Sequence, residues 1–499
     1  MSLQQYNSPR RTTPRRSSAT QVHEAYAFGA PLKGVDVSQP LPGGDPQTAI
    51  RLQNLIPRVL GLQLRRGYTR WVSNMISEIR SIMQYHPALG GAKMFCANAD
   101  GDVFDVTLTQ PSSFTPVPVL AVAGGVALGE WTSINFTTSA GVHYMLMVTP
   151  AGGYYAYDGA AFTEITAGAG PMQIDGVDPQ TFSYITVYKN RLVFIEHETT
   201  RMWYLPVGVI AGVATEFDFG AMFPNGGELV MLVNWTYDGG SSGVSGSGGL
   251  SNKLVVIADQ GDVLVYGGDD PDDAATFRVE GRWYIGRVPV GNRFASQYMQ
   301  DVAILSERGL CFMSELMRGE GFFGNQTLAG RVNAELAVLV SRTLNSKYWE
   351  IRLLPHEQLL VLNVPDYNRE NLQWAYEVNN KAFCTLKGIP MLTAETFDGR
   401  SFSGDTEGNI WWAFEGQSDG AVDLVAGKDL TGNIVTAFSS LGEGIRVKRF
   451  LMVRASFISD SAPGVMVQLN KEWSLGLPEG APAYLRAGQN FWDQGSWDN

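Results

Sequence analysis

Residues 96–106 read CANADGDVFDV: an apolar run, a polar turn built on Gly101, and a second apolar run straight back. The same pattern returns as MVTPAGGYYAYDG at 147–159, VIADQGDVLVYGG at 256–268, ILSERGLCFMS at 304–314 and SGDTEGNIWWAFEG at 403–416. Weaker copies are VYKNRLVFIE at 187–196 and LPHEQLLVLNV at 354–364. Their turn residues Gly101, Gly153, Gly261, Gly309, Glu357 and Gly408 fall mostly about 50 residues apart. The exception is the gap from Gly153 to Gly261, which holds the Asn190 copy and a Gly-rich insertion. A hairpin recurring at that interval predicts the blades of a β-propeller, six or seven of them, in an all-β chain.

Outward from the repeat, turn signals stand every 8–12 residues from about 79 to 417, between short runs rich in Val, Ile, Tyr, Phe and Trp. Residues 331–344 alone show some helical periodicity. Residues 49–55 could begin as a short helix stopped by Pro57, and Leu60, Leu62 and Leu64 alternate as a half-buried strand. The tract GGSSGVSGSGG at 239–249 reads as a mobile linker, and DDPDD at 269–273 as a charged turn at a blade edge. Past 421 the rhythm changes, with strand-like runs at 434–440, 446–458 and 464–469. The expected domains are a flexible basic arm and linker (1–45), the propeller (46–420), and a small antiparallel β domain with an aromatic tail (421–499).

The chain has 499 residues, enough for a large core, and a net charge of −12. A tight general nucleic-acid binder needs a basic footprint, so this balance argues against one. No apolar run is long enough for a membrane helix, and the N-terminus lacks the apolar region of a secretory signal. Cys96, Cys311 and Cys384 are few and sit in apolar runs, which fits folding in a reducing cytoplasm.

The first twenty residues carry Arg10, Arg11, Arg15 and Arg16 and no acid, so they read as an arm that docks on an acidic partner. Arg65, Arg66 and Arg70 beside Tyr68 form a second candidate contact patch. Phe491, Trp492 and Trp497 in the polar tail are candidate anchors on a neighbouring surface.

The residues do not spell out a catalytic constellation. The five histidines, His23, His86, His143, His197 and His356, show no metal-ligand spacing. Glu196 and Glu198 flank His197 on the opposite strand face, which keeps them from joining it. No CxxC and no phosphate-cradling P-loop is present, and GxSxG-like fragments fall only in the Gly/Ser tract at 243–248. Asp100–Asp102 and the acids at 269–273 could offer oxygens to Ca²⁺, although tight turns need the same residues. Glu377, Glu395 and Asp398 are candidate acids for a propeller glycosidase. No metal and no cofactor is expected.

One stretch carries a family likeness. Pro31-Leu32-Lys33-Gly34-Val35 is followed by Ala49, Leu52, Asn54, Leu55, Pro57, Gly61, Leu62, Leu64, Arg65, Gly67 and Tyr68 in the pattern A-x-x-L-x-N-L-x-P…G-L-x-L-R-x-G-Y. Segments at 131–162, 188–196, 226–240, 250–271, 284–293 and 446–457 agree with it. Together they resemble the nozzle or hub proteins of short-tailed bacteriophages. That resemblance implies a β-propeller with added β domains, a homohexameric ring below the portal and adaptor, and a channel through which DNA leaves the head. It implies a structural virion protein of the tail, made in the host cytoplasm, with itself, the portal or adaptor and transient genomic DNA as partners. The competing expectation is a propeller glycosidase or depolymerase acting on host surface polysaccharide. A monomeric propeller that binds a peptide on its top face is a third.

Overall fold

The computed structural model describes residues 25–41, 44–88, 90–122, 130–237, 251–273, 275–319, 322, 327–365, 371–423, 425–439, 456–459, 463–470, 473–478 and 483–484. The basic arm with Arg10, Arg11, Arg15 and Arg16, the Gly/Ser tract at 239–249, and Phe491, Trp492 and Trp497 lie outside the described residues.

The chain is an all-β propeller. Seven blades follow one another along the chain, and the last is completed by a strand from the N-terminal side. Their first strands are Ile79–Tyr85, Thr132–Thr137, Phe182–Tyr188, Leu229–Tyr237, Ala295–Tyr298, Glu350–Leu354 and Thr393–Phe397, in blades 1 to 7. Each of these touches the next blade's first strand or its neighbour, and Thr393–Phe397 touches Ile79–Tyr85, so the circle closes.

Closure comes from the N-terminal segment between residues 49 and 72. Strands β1 (Ala49–Gln53), β2 (Leu55–Arg58), β3 (Gly61–Leu64) and β4 (Tyr68–Val72) precede blade 1. β4 pairs antiparallel with Ile410–Ala413 as the fourth strand of blade 7. β1 joins blade 6 parallel to Ala382–Lys387, and Asn433–Thr436 adds antiparallel to its other side. Residues 49–55 are therefore two strands meeting at a break on Asn54, rather than helix. The open edge of blade 6 supplies the backbone partners, and Ala49 and Leu52 point into its core, which outweighs local helix preference. The hairpin β2–β3 follows, but its tip Val59-Leu60 and Leu64 are exposed rather than half-buried.

The core is a set of layers between blades. One apolar cluster joins blades 7 and 1, one blades 1 and 2, one blades 2 and 3, one blades 3 and 4, and a larger one runs from blade 4 to blade 7. A middle strand is covered on both faces, so Gly153–Tyr157, Asp262–Gly267 and Leu359–Asn363 are buried throughout. This explains their unbroken apolar reading. Outer strands keep polar faces, as in Phe162–Ala167.

The repeat has a definite place in this plan. Gly101, Gly153, Gly261, Gly309 and Gly408 all lie at the turn between the second and third strands of a blade. All have positive φ. The weak copies at Asn190 and Glu357 are turns between first and second strands. The irregular spacing arises because blade 3 makes its second turn at 197–200, without glycine. Gly261 cannot carry a side chain: with φ +93°, its Cβ would lie 2.0 Å from the Gly286 carbonyl oxygen.

Blade 5 has three strands followed by helices α1 (Met313–Met317) and α2 (Asn333–Thr343), the latter where helical periodicity is read. Buried Asn333 stands in for a fourth strand. Its amide donates to the Leu310 carbonyl at 2.9 Å, and its oxygen accepts from Leu310 N at 2.9 Å. Beyond blade 7, Ser418–Ala421 and Lys428–Asp429 extend that blade's sheet, and Gly464–Val465 pairs with Ala483–Tyr484.

Candidate functional site

The segments that enter the first strands converge near the propeller axis. Arg80 of blade 1, Glu130 before blade 2, Arg293 before blade 5, and Lys347, Tyr348 and Glu350 before and in blade 6 line one cavity of about 220 Å³ including its open mouth. Each sits there because a propeller places every blade's first strand against the axis.

Most of the charge at this site is paired. Half-buried Arg293 donates from Nη1 to the Arg80 carbonyl at 2.6 Å and from Nη2 to Ser81 Oγ at 2.8 Å. Its Nη1 is also 3.5 Å from Glu350 Oε2. Arg352 bridges two blades, with Nη2 3.3 Å from Glu350 Oε1 and Nη1 3.2 Å from Glu395 Oε2 in blade 7. Glu78 accepts from Arg80 Nε at 2.6 Å and from Tyr348 Oη at 3.1 Å. Burial works against the charge on Arg352, but Glu395 and Glu350 hold its guanidinium above its ordinary range. Burial raises the Glu395 carboxyl, with Arg352 opposing.

Two charges stand apart. Glu130 and Lys347 make no ion pair among the described residues. Burial raises the Glu130 carboxyl above its ordinary value, and Arg293, Lys347 and Arg80 pull it back. Like Glu395, it is a carboxyl raised by burial beside fixed cations, which gives it general-acid character. Local sequence does not mark it, because these residues meet only through the circle of blades.

Of the three candidate acids, the structure brings only Glu395 to the axis. Glu377 is buried at the end of a blade 6 strand, where it takes Arg58 at 3.2 Å and the Asn380 backbone at 2.6 Å. Asp398 lies in the turn at the far end of the first strand of blade 7.

The arginine patch separates into different environments. Arg65 is not available to a partner: its guanidinium is fully buried. It donates to both oxygens of Asp419, at 2.7 and 2.6 Å, to the Lys387 carbonyl at 2.7 Å and to Asn54 Oδ1 at 3.0 Å. Arg70 is bound to Asp423 at 2.6 Å and largely covered. Arg66 keeps its side chain 63% exposed, 4.0 Å from Glu415.

The acidic turn at 269–273 is a latch between blades. Asp269 pairs with Lys189 at 2.7 Å, Asp270 with Arg191 at 2.9 Å, and Asp272 accepts from the Tyr204 hydroxyl. The carboxylates that could have held a cation are thus engaged with blade 3. At the other candidate, the Asn98 side chain accepts from the backbone of Asp100 and Asp102, an ordinary turn arrangement. Glu198 does approach His197, at 3.6 Å. The strand ends at Glu196, and Glu198 turns back with φ +56°.

The chain matches no protein-family profile and no curated protein. Among solved structures it is similar to Ika8, a computationally designed protein, at 10% identity and a TM-score of 0.37. That match covers 70% of this chain and 99% of the other.

Proposed function

We propose that the chain is a structural subunit of a short-tailed phage's tail nozzle or hub, without catalysis. Copies form a ring, sixfold in this reading, below the portal and adaptor, and genomic DNA passes through it during ejection. The observation that carries the reading is where the family motif falls. From Ala49 to Tyr68 its residues build β1–β3, the Arg65 anchor and the start of β4, the elements that close blades 6 and 7. A net charge of −12 suits a conduit that does not hold phosphates. Electron-microscopic class averages of the purified full chain under assembly conditions test it. Sixfold rings are expected, and a monomer at every concentration and salt overturns the reading.

A glycosidase keeps one specific point in its favour, the raised carboxyl of Glu130 beside the axial arginines. Turnover on a panel of host polysaccharides, abolished by Glu130→Gln, would replace the structural reading with this one.

A further inference from the structure

The outer rim carries charge in two separate tracts, and neither is neutralised from within. Between residues 132 and 218, the span of blades 2 and 3, stand eight acids against three bases. The three bases are already bound, Lys189 to Asp269, Arg191 to Asp270 and Arg201 to Glu196. On the outer strands of blades 2 and 3, Glu164 in Phe162–Ala167, Asp175 in Gln173–Asp175 and Glu216 in Thr215–Asp218 are exposed. None of the three has an ion pair among the described residues. Strand pairing makes this rim continuous, because Asp175 lies opposite Val213, which is 63% exposed two residues before Thr215.

The second tract is the outer strand of blade 4, Arg278–Tyr284, which is unburied along its whole length. Blades 2, 6 and 7 have added outer strands and blade 5 has a helix, but among the described residues this strand's far edge pairs with nothing. Arg278 and Arg282 are exposed along it. Arg308 of blade 5 lies over the exposed Tyr284 ring, 5.0 Å from its centroid. No carboxylate pairs with any of the three among the described residues. Glu280 of the same strand is taken up by Lys253. An open strand edge with unpaired arginines, an aromatic ring and the exposed Val279 is an incomplete surface.

We infer that these tracts are two halves of one contact between copies of this chain: the Arg278–Arg282–Arg308 edge of one copy meets the Glu164–Asp175–Glu216 rim of the next. The inference rests on the reading that copies assemble, and it names the surfaces. Charge complementarity identifies the occupant. Each tract lacks the partners that the other offers in excess, and each has an exposed apolar residue, Val279 or Val213, among its charges. Because the two surfaces differ, the contact is heterologous, the kind that repeats into a ring.

The test is a charge swap on the full chain, read by sedimentation and mass photometry. Arg278→Glu with Arg282→Glu leaves both tracts acidic; Glu164→Lys with Glu216→Lys leaves the rim basic. Each variant alone is expected to assemble at least about tenfold more weakly than the unaltered chain, and mixing the two restores assembly. Unchanged thermal unfolding of each variant confirms that the fold is kept. Variants that assemble like the unaltered chain, or a mixture that stays apart, overturn this contact while leaving the ring intact. An unaltered chain that never assembles overturns the ring reading itself.

Discussion

Arg65 Nη2 stands 2.6 Å from Asp419 Oδ2, joining residues more than 350 positions apart in the sequence. The guanidinium is buried, and its other donors go to Asn54, Arg66 and Lys387. It therefore ties the N-terminal closing strands to blade 6 and to the strand that follows blade 7.

Removing Asp419 leaves a buried cation without its counter-charge. Asp419→Ala is expected to cost ~3–5 kcal/mol in denaturant unfolding. Arg65→Lys should recover little of what Arg65→Met loses, because one ammonium cannot meet both carboxylate oxygens and two further acceptors. A loss under about 1 kcal/mol for Asp419→Ala would show that closure does not depend on this pair.

The turn between second and third strands is also exacting. Gly261→Ala puts a Cβ against the Gly286 carbonyl in a left-handed backbone, and a loss well above ~1 kcal/mol is expected. Gly212→Ala is the control: its φ is +131°, with nothing within 4 Å of the added atom. It carries the backbone penalty alone, so thermal melts of the two variants separate strain from collision.

Glu130 gives a pH signature. Burial raises its folded carboxyl above its unfolded value. Its ionisation therefore weakens the fold: the native state suffers no penalty below the unfolded pKa and loses stability as pH rises through the folded one. Glu130→Gln should raise the unfolding midpoint at pH 7, with the advantage fading below about pH 4.5. An advantage of equal size at pH 3.5 and pH 7 would contradict burial as the cause.

Phe182 and Phe194 stack with centroids 4.3 Å apart, both buried in the layer between blades 2 and 3. Phe194→Ala should cost ~3–5 kcal/mol through cavity formation, measured by chemical denaturation. If blade 3 frays on its own, its amides will exchange faster than those of blade 6 in the same variant.

The acidic turn at 269–273 should ignore calcium. With Asp269, Asp270 and Asp272 held by Lys189, Arg191 and Tyr204, millimolar Ca²⁺ or chelator should leave the melting temperature unchanged. A rise that saturates with added Ca²⁺ would show that the latch opens to the ion.

Much of the fold was legible because a propeller writes the same local problem several times. A middle strand covered on both faces must be apolar, and a tight turn with positive φ favours glycine, so Gly101, Gly153, Gly261, Gly309 and Gly408 announce themselves. The blade count stayed open between six and seven because blade 3 turns without glycine at 197–200 and the Asn190 and Glu357 copies mark a different hairpin. The run 49–55 was ambiguous because a short apolar stretch takes its form from what lies beside it, here the edge of blade 6.

Local pattern determined the strands, their turns and the all-β class, since each depends on neighbours within about ten residues. Only the tertiary structure decided that Arg65 is an anchor rather than a contact, that Glu130, Arg293, Glu350 and Glu395 share one axis, and that Tyr68–Val72 completes the last blade. The physical reason is distance along the chain. A guanidinium reads the same in sequence whether it faces water or a carboxylate 354 residues away, and only closure of the circle brings that carboxylate within reach.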